Sequence, residues 1–324
     1  MHKSKPHYLV SADPGSAKAW TVASCHLKVH PEIRIKPRKI EELEKLAEEL
    51  CEEAKKGHVT LSLDAPVQVF GELQRPASLA PSVMSKLETH WPFNVNPFSQ
   101  RPCEKALTSR PKVRNDSLVH KALAQALATL CCWGDKYTAD GNESFTSRHD
   151  GTSVRNYMGA PHGPVVGTFL DILKEKARQN GVSLSYDPTS INDGERVISV
   201  LETHPAVALA FYASYQLGRF PKIIQKYKPL NKSTQPVFGD LKDAVLEYAN
   251  RERGVVEALD IKCDDDLDAV VGLFNILDLA NGDGDIFGTV ETGYFLVPSS
   301  PKGTSFKKLW QDAEDGQRRG RPNR

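Results

Sequence analysis

The first 64 residues constrain this chain more than any other stretch. They alternate strand-like apolar runs with one amphipathic helix in an order that few sheets accept. Tyr8-Leu9-Val10 runs into the turn residues Asp13-Pro14-Gly15-Ser16, and Trp20 to Leu27 follows with β-branched and alternating apolar residues, so two strands around a tight turn are expected. A short third strand around Ile33 to Ile35 completes a meander. From Pro37 to Lys56 the spacing predicts a helix, with Ile40, Leu43, Leu46, Ala47, Leu50 and Ala54 on one face and Glu and Lys on the other. Gly57 ends it. Val59 to Leu63 is an apolar run bounded by turn signals, as in a buried strand, and it stops at Asp64-Ala65-Pro66. A meander followed by a helical crossover lets the fourth strand lie parallel to the first. The expected class is therefore α/β, a mixed sheet flanked by helices.

After Asp64 the character changes. Pro76, Pro81, Pro92, Pro97, Pro102 and Pro111 exclude long helices and central strands from 67 to about 114. A helix is expected over Ser117 to Cys132, then a polar, Gly-rich segment from Asp135 to Pro164, then a helix from Pro164 towards Asn180-Gly181. Val197 to Glu202 reads as a fifth strand, which makes about 67–195 a long insertion after the fourth strand. Helices follow over Val207 to Leu217, Gly239 to Arg253 and Asp264 to Ala280, with a last short strand at Tyr294 to Val297. The 324 residues exceed the roughly 100–200 of a usual domain, and one elaborated domain over 1–298 accounts for them. Residues 299–324 carry Arg318, Arg319, Arg321 and Arg324 among Gly and Pro and read as a basic, disordered tail.

Charge and cysteine usage narrow the function classes. Forty-two Lys plus Arg against 41 Asp plus Glu leave a net charge of +1, so a polyanion partner would need a local patch, not a global field. No apolar run approaches the roughly 18–20 residues that cross a bilayer, and MHKSKPHYLVSADPGS lacks the apolar core of a secretory signal. No membrane association is expected. The six cysteines contain no CxxC pair and read as reduced thiols of a cytoplasmic protein. No His pairs with His or Cys at zinc-ligand spacing.

The acids at strand ends carry the functional signal. Asp13 ends the first strand, Asp64 the fourth and Glu202 the fifth. In open sheets ligands sit at the carboxyl ends of strands, and carboxylates crowded there repel unless a cation neutralises them. Carboxylate oxygen is the donor that Mg²⁺ and Mn²⁺ favour. A further group comes from Asp264-Asp265-Asp266-Leu267-Asp268-Ala269. Asp265 and Asp268 are three apart and share a helix face, while Ala269 and Gly272 are small enough for that helix to approach the sheet closely. Such acids suit a pair of divalent ions roughly 3.5–4 Å apart acting on a phosphodiester. Each acid alone has an ordinary explanation: Asp before Pro is a common turn residue, and acids suit a first helical turn.

On these residues the chain resembles known nucleases. ADPGS after a short strand resembles the opening Asp-x-Gly segment of ribonuclease-H-like nucleases, and of RuvC-type Holliday-junction resolvases in particular. DDLDA, with its D-x-x-D-A spacing, resembles their acidic helix. LDAP at 63–66, RPCEKAL at 101–107, LETHPAVAL at 201–209, LDAVVGLFNILDLA at 267–280 and GYFLVP at 293–298 are similar to segments of domain-of-unknown-function family 429 (DUF429), predicted nucleases. The resemblance spans about Tyr8 to Pro298. It implies a ribonuclease-H-like fold and metal-dependent phosphodiester cleavage, with Asp13, Asp64, Asp265 and Asp268 as ligands of Mg²⁺ or Mn²⁺ and Glu202 as a ligand or positioning group. The chain departs from ribonuclease H proper in lacking an inward-facing Glu on the first helix, and it is much longer than a resolvase.

Other residues are candidates for substrate contact. Arg101 is a candidate for bidentate phosphate binding. Lys222 and Lys226, with Tyr227, Lys228 and Lys232, form a basic stretch that suits a nucleic-acid backbone, though a solvated face is the favoured reading. His204, two residues after Glu202, is a candidate general base, and His149 and His162 lie in a Gly-rich loop placed to enter a site from above. Asn281 to Asp285 lacks the closing Glu of a calcium loop and reads as a turn. The expected activity is that of a metal-dependent nuclease acting on DNA or RNA by a two-metal mechanism. The alternatives are a nucleotide-dependent phosphotransferase and a nucleic-acid-binding module without turnover.

Overall fold

The computed structural model describes residues 7–14, 19–27, 31–64, 67, 162–191, 196–203, 205, 208–209, 212, 235–253, 259–289 and 293–298. The helix expected over Ser117 to Cys132, the basic tail, Arg101, Lys222, Lys226, His149 and His204 lie outside the described residues. So do the side chain of His162 and most of the helix expected over Val207 to Leu217, of which residues 208, 209 and 212 are helical, as is residue 205.

Strands β1 (His7–Asp13), β2 (Ala19–His26) and β3 (Arg34–Lys39) form the meander. A 3₁₀ turn at Ile40–Glu42 leads into helix α1 (Leu43–Ala54), and β4 (His58–Leu63) follows. Then come α2 (His162–Gln179), β5 (Ser183–Ser185), β6 (Val197–Glu202), α3 (Gln235–Arg253) and α4 (Asp264–Ala280). A separate antiparallel pair, β7 (Asp285–Thr289) and β8 (Gly293–Val297), closes the described chain. The main sheet is mixed, six-stranded and ordered β3-β2-β1-β4-β6-β5. β2 is antiparallel to both its neighbours, whereas β1, β4, β6 and β5 run parallel. Residues 162–191, expected inside the insertion, help build the main layers: β5 pairs with β6, and Phe169, Leu170 and Leu173 of α2 share a core with α1.

Three expectations needed correction. The helix expected from Pro37 begins only at Leu43, because Arg34 to Lys39 instead pair with Ser24 to Ala19 as an edge strand. Proline is tolerated on such an edge, where its missing donor faces no partner. The backbone N–H of Lys39 donates to Glu42 Oε2 at 3.0 Å, which starts the helical turn. β5, three residues long and half-polar, was not expected. Nor was β7, which follows directly on the turn at Asn281-Gly282, where Gly282 has φ 79°.

Strand alternation divides the sheet between two cores. Val10, Ala12, Trp20, Val22, Val59, Leu61, Leu63, Ile198 and Val200 face α1 and α2. Their partners include the α1 stripe Leu43, Leu46, Ala47, Leu50, Cys51 and Ala54, and Phe169, which meets Trp20 edge-on at 5.1 Å. Each such leucine contributes roughly 1.5–3 kcal/mol by leaving water. Leu9, Ala23, Cys25 and Leu201 point the other way, into a core built by α3, α4, Tyr294 and Leu296. α4 is buried along its length from Leu267 to Asp278, so it is a central helix lying directly on β1, β2 and β4. No helix among the described residues is long and apolar enough to cross a membrane.

Candidate metal centre

The site forms where the alternation of β1 and β4 turns from small residues to acids. On the α4 face, Leu9, Ser11 and Asp13 succeed one another along β1, and Thr60, Ser62 and Asp64 do so along β4. The parallel register pairs Ser11 with Ser62 and Ala12 with Leu63, and the N–H of Asp64 extends this ladder by donating to Ala12 O at 3.0 Å. Asp13 and Asp64 therefore stand side by side at the carboxyl ends of adjacent strands.

α4 supplies the third acid. Its first turn holds Asp264, Asp265 and Asp266, which suit the positive end of the helix dipole. Asp266 reaches back to accept the N–H of Lys262 at 2.9 Å and so fixes the helix start. Asp268, one turn in, faces the sheet. The helix lies close because of Gly272, four residues on: a methyl there would overlap Ser11 Oγ and sit 3.1 Å from Thr203 Oγ1. Ser62 Oγ donates to Gly272 O at 3.4 Å. With Gly272 over Ser11 and Ser62, and Asp268 beyond them towards Asp13 and Asp64, α4 runs antiparallel to β1 and β4. Its amino end overhangs the carboxyl edge of the sheet.

One carboxylate oxygen from each of Asp13, Asp64 and Asp268 lies within 4.8 Å of the others. The three residues are 3%, 4% and 1% exposed. Carboxylates this close and this dry repel strongly unless a cation or proton compensates. Three oxygen donors, with no thiolate or imidazole in the group, are the kind of ligand that hard divalent cations prefer. The residues present therefore fit the divalent ion expected from the sequence.

Two expected ligands stand apart from this group. Asp265 is half-buried in the first turn of α4, a turn nearer the helix start than Asp268, and is not one of the three acids that cluster. Glu202 is buried, 3% exposed, but the β4–β6 register pairs it with Leu63, whose side chain packs under α1 and α2. Glu202 thus follows Ile198 and Val200 on the opposite face, and its backbone N–H donates to Tyr294 Oη at 3.4 Å. The residue that occupies the α4 face at this level is Thr203, directly after β6, which sequence reasoning missed. Its N–H donates to Leu63 O at 2.9 Å, which makes it the ladder neighbour of Asp64. Counting alternation from Leu201, which packs on the α4 side, would have singled it out.

The other end of the sheet holds a different polar group. His7 Nε2 pairs with Thr60 Oγ1 at 2.8 Å and His58 Nε2 with Ser199 Oγ at 3.1 Å. The two rings meet edge-on at 4.8 Å. Burial, and secondarily the neighbouring His58, lowers the pKa of His7 to about 4. This pair lies at the amino ends of β1 and β4, a full strand length from the acids, and serves to satisfy buried polar groups between strands.

Comparison with protein-family models, curated proteins and solved structures finds no match to this chain. The functional reading therefore rests on the residues and their geometry.

Proposed function

We propose that the chain is a metal-dependent phosphodiester hydrolase of ribonuclease-H-like fold that acts on nucleic acid. The observation that carries the reading is the convergence of Asp13, Asp64 and Asp268 to within 4.8 Å in a buried site at the carboxyl edge of a mixed sheet. Acids separated by 51 and 204 residues in sequence meet there, and a structural role alone does not favour three like charges in one dry pocket. The meander and parallel crossover around them agree with the fold that the nuclease resemblance implies.

In this reading Asp13, Asp64 and Asp268 hold Mg²⁺ or Mn²⁺, and Asp265 extends the donor set towards a second ion at the mouth of the site. When bound, such ions supply Lewis-acid activation of a water and neutralise charge at the leaving oxygen of the phosphodiester. The chain's own part is to fix the donors and exclude water. Asp13 and Asp64 are held by the parallel ladder. Asp268 is held by a central helix whose distance from the sheet is set by Gly272. The amino end of α4 adds a positive dipole end beside the acids. Arg101, Lys222 and Lys226 are the proposed phosphate contacts.

The test is incubation of the purified chain with single-stranded, duplex and branched DNA and with RNA, in Mn²⁺ or in EDTA. Cleavage of at least one substrate in Mn²⁺, absent in EDTA and absent in Asp13→Asn, is expected. Cleavage that survives Asp13→Asn refutes the assignment of the site. Saturable Mn²⁺ binding without cleavage of any substrate refutes hydrolysis and favours the binding-module alternative.

A further inference from the structure

The carboxyl ends of three adjacent parallel strands form one row on the α4 face. Asp13 ends β1, Asp64 continues β4 through its N–H bond to Ala12 O, and Thr203 continues β6 through its N–H bond to Leu63 O. Thr203 thus occupies in the third strand the position that acids occupy in the first two. The residue is 2% exposed, and its hydroxyl has no hydrogen-bond partner among the described residues. Burying a hydroxyl unsatisfied costs roughly 1–3 kcal/mol, which a valine of nearly the same shape would avoid. The hydroxyl lies 3.1 Å from the point where a Gly272 methyl would stand, so it sits under α4, one turn along from Asp268. The missing side chain at Gly272 leaves it room there.

We propose that Thr203 is a further positioning residue of the metal centre, supplying a neutral oxygen to the cation held by Asp13, Asp64 and Asp268 or to that cation's water. This deepens the proposed function and rests on it. A neutral donor adds an oxygen without adding to the repulsion among three carboxylates, a purpose for which a fourth acid in the row would be worse suited. A hydroxyl is a donor as well as an acceptor, so it can orient a bound water as an acid in its ionised form cannot.

Calorimetric titration with Mn²⁺ of wild type, Thr203→Val and Thr203→Ser tests the assignment, with the melting temperature of each measured in EDTA. Losing a supporting group around a metal site typically costs 10–100-fold in affinity. About a tenfold loss of Mn²⁺ affinity is expected in Thr203→Val, with recovery to within about twofold in Thr203→Ser. The melting temperature of Thr203→Val in EDTA should equal or exceed that of wild type, because the unsatisfied hydroxyl is gone; this separates a metal role from a packing role. Equal Mn²⁺ affinity in wild type and Thr203→Val overturns the role of Thr203 and leaves the metal centre standing. Absence of Mn²⁺ binding by wild type overturns both.

Discussion

Gly272 is the point at which fold and site are most tightly coupled, so Gly272→Ala is the most informative perturbation. The added methyl would overlap Ser11 Oγ and lie 3.1 Å from Thr203 Oγ1, against ordinary contacts of about 3.5–4.0 Å. Relief requires Ser11 to leave its rotamer or α4 to rise by roughly 1 Å. Overpacking of this kind costs about 1–3 kcal/mol. Alanine's better helix propensity returns about 1 kcal/mol, so the net loss of stability is about 0–2 kcal/mol. The larger effect falls on the site, because any rise of α4 carries Asp268 away from Asp13 and Asp64. Mn²⁺ affinity should fall about tenfold, as for other disturbances of the groups that orient metal ligands. Ser11→Ala supplies the control. Without Ser11 Oγ, the nearest atom on that side is Ser11 Cβ at 3.4 Å, so Gly272→Ala should cost less in the Ser11→Ala background, with a coupling of about 1 kcal/mol or more. Urea unfolding of the four proteins and Mn²⁺ calorimetry measure both quantities. Additivity of the two substitutions, or a Gly272→Ala protein that is about 1 kcal/mol more stable with unchanged Mn²⁺ affinity, would show that α4 is not held down at this point.

Three further outcomes follow. Because the pKa of His7 is lowered to about 4 from 6.5, the unfolded chain binds a proton before the folded one does. Stability from this group is complete above about pH 6.5 and is lost as pH falls towards 4; the loss by pH 5 is about 2 kcal/mol. His7→Gln should flatten the urea midpoint against pH over that window, and an unchanged slope would contradict the assignment. In EDTA, Asp268→Asn should melt at or above the wild-type temperature, since it removes a charge from a crowded site. In Mn²⁺ at 100 times its dissociation constant, wild type should gain about 2.7 kcal/mol that the variant does not. Burial pushes the Cys25 thiol up to about 12, so iodoacetamide at pH 8 should label it only after unfolding, as peptide mass mapping would show.

Much of the architecture was legible because burial on both sides of the sheet writes itself plainly into β1, β4 and β6. Leu9-Val10, Val59 to Leu63 and Val197 to Leu201 are short apolar runs that hardly admit another reading. α4 was legible from end to end, since acids mark its start and Asn281-Gly282 its finish. β3 was legible only at its start, around Ile33 to Ile35; its extension through Lys39 was not, because an exposed edge strand of Arg, Lys and Pro carries almost no apolar signal and its pairing with β2 is a tertiary fact. The site was legible to the extent that an acid at a strand end is visible in sequence. Asp13 and Asp64 were found that way, and Asp268 by its spacing on an acidic helix. Glu202 illustrates the limit: alternation has a period of two, so a shift of one residue moves a side chain through the sheet. The register with Leu63 decided that Thr203, not Glu202, joins the row. Asp265 shares a helix face with Asp268 by spacing, but it sits half-buried nearer the helix start, and only Asp268 joins Asp13 and Asp64.

The measurement that bears most directly on the account is isothermal titration of the metal-free chain with Mn²⁺ at neutral pH, on wild type and on Asp64→Asn, which removes one charge and replaces one carboxylate oxygen by an amide nitrogen. Saturable Mn²⁺ binding by wild type, displaced by excess Mg²⁺ and weakened at least tenfold in Asp64→Asn, is the predicted result. No binding by wild type, or equal affinity in the two proteins, would mean that the three aspartates meet for some purpose other than holding a divalent ion.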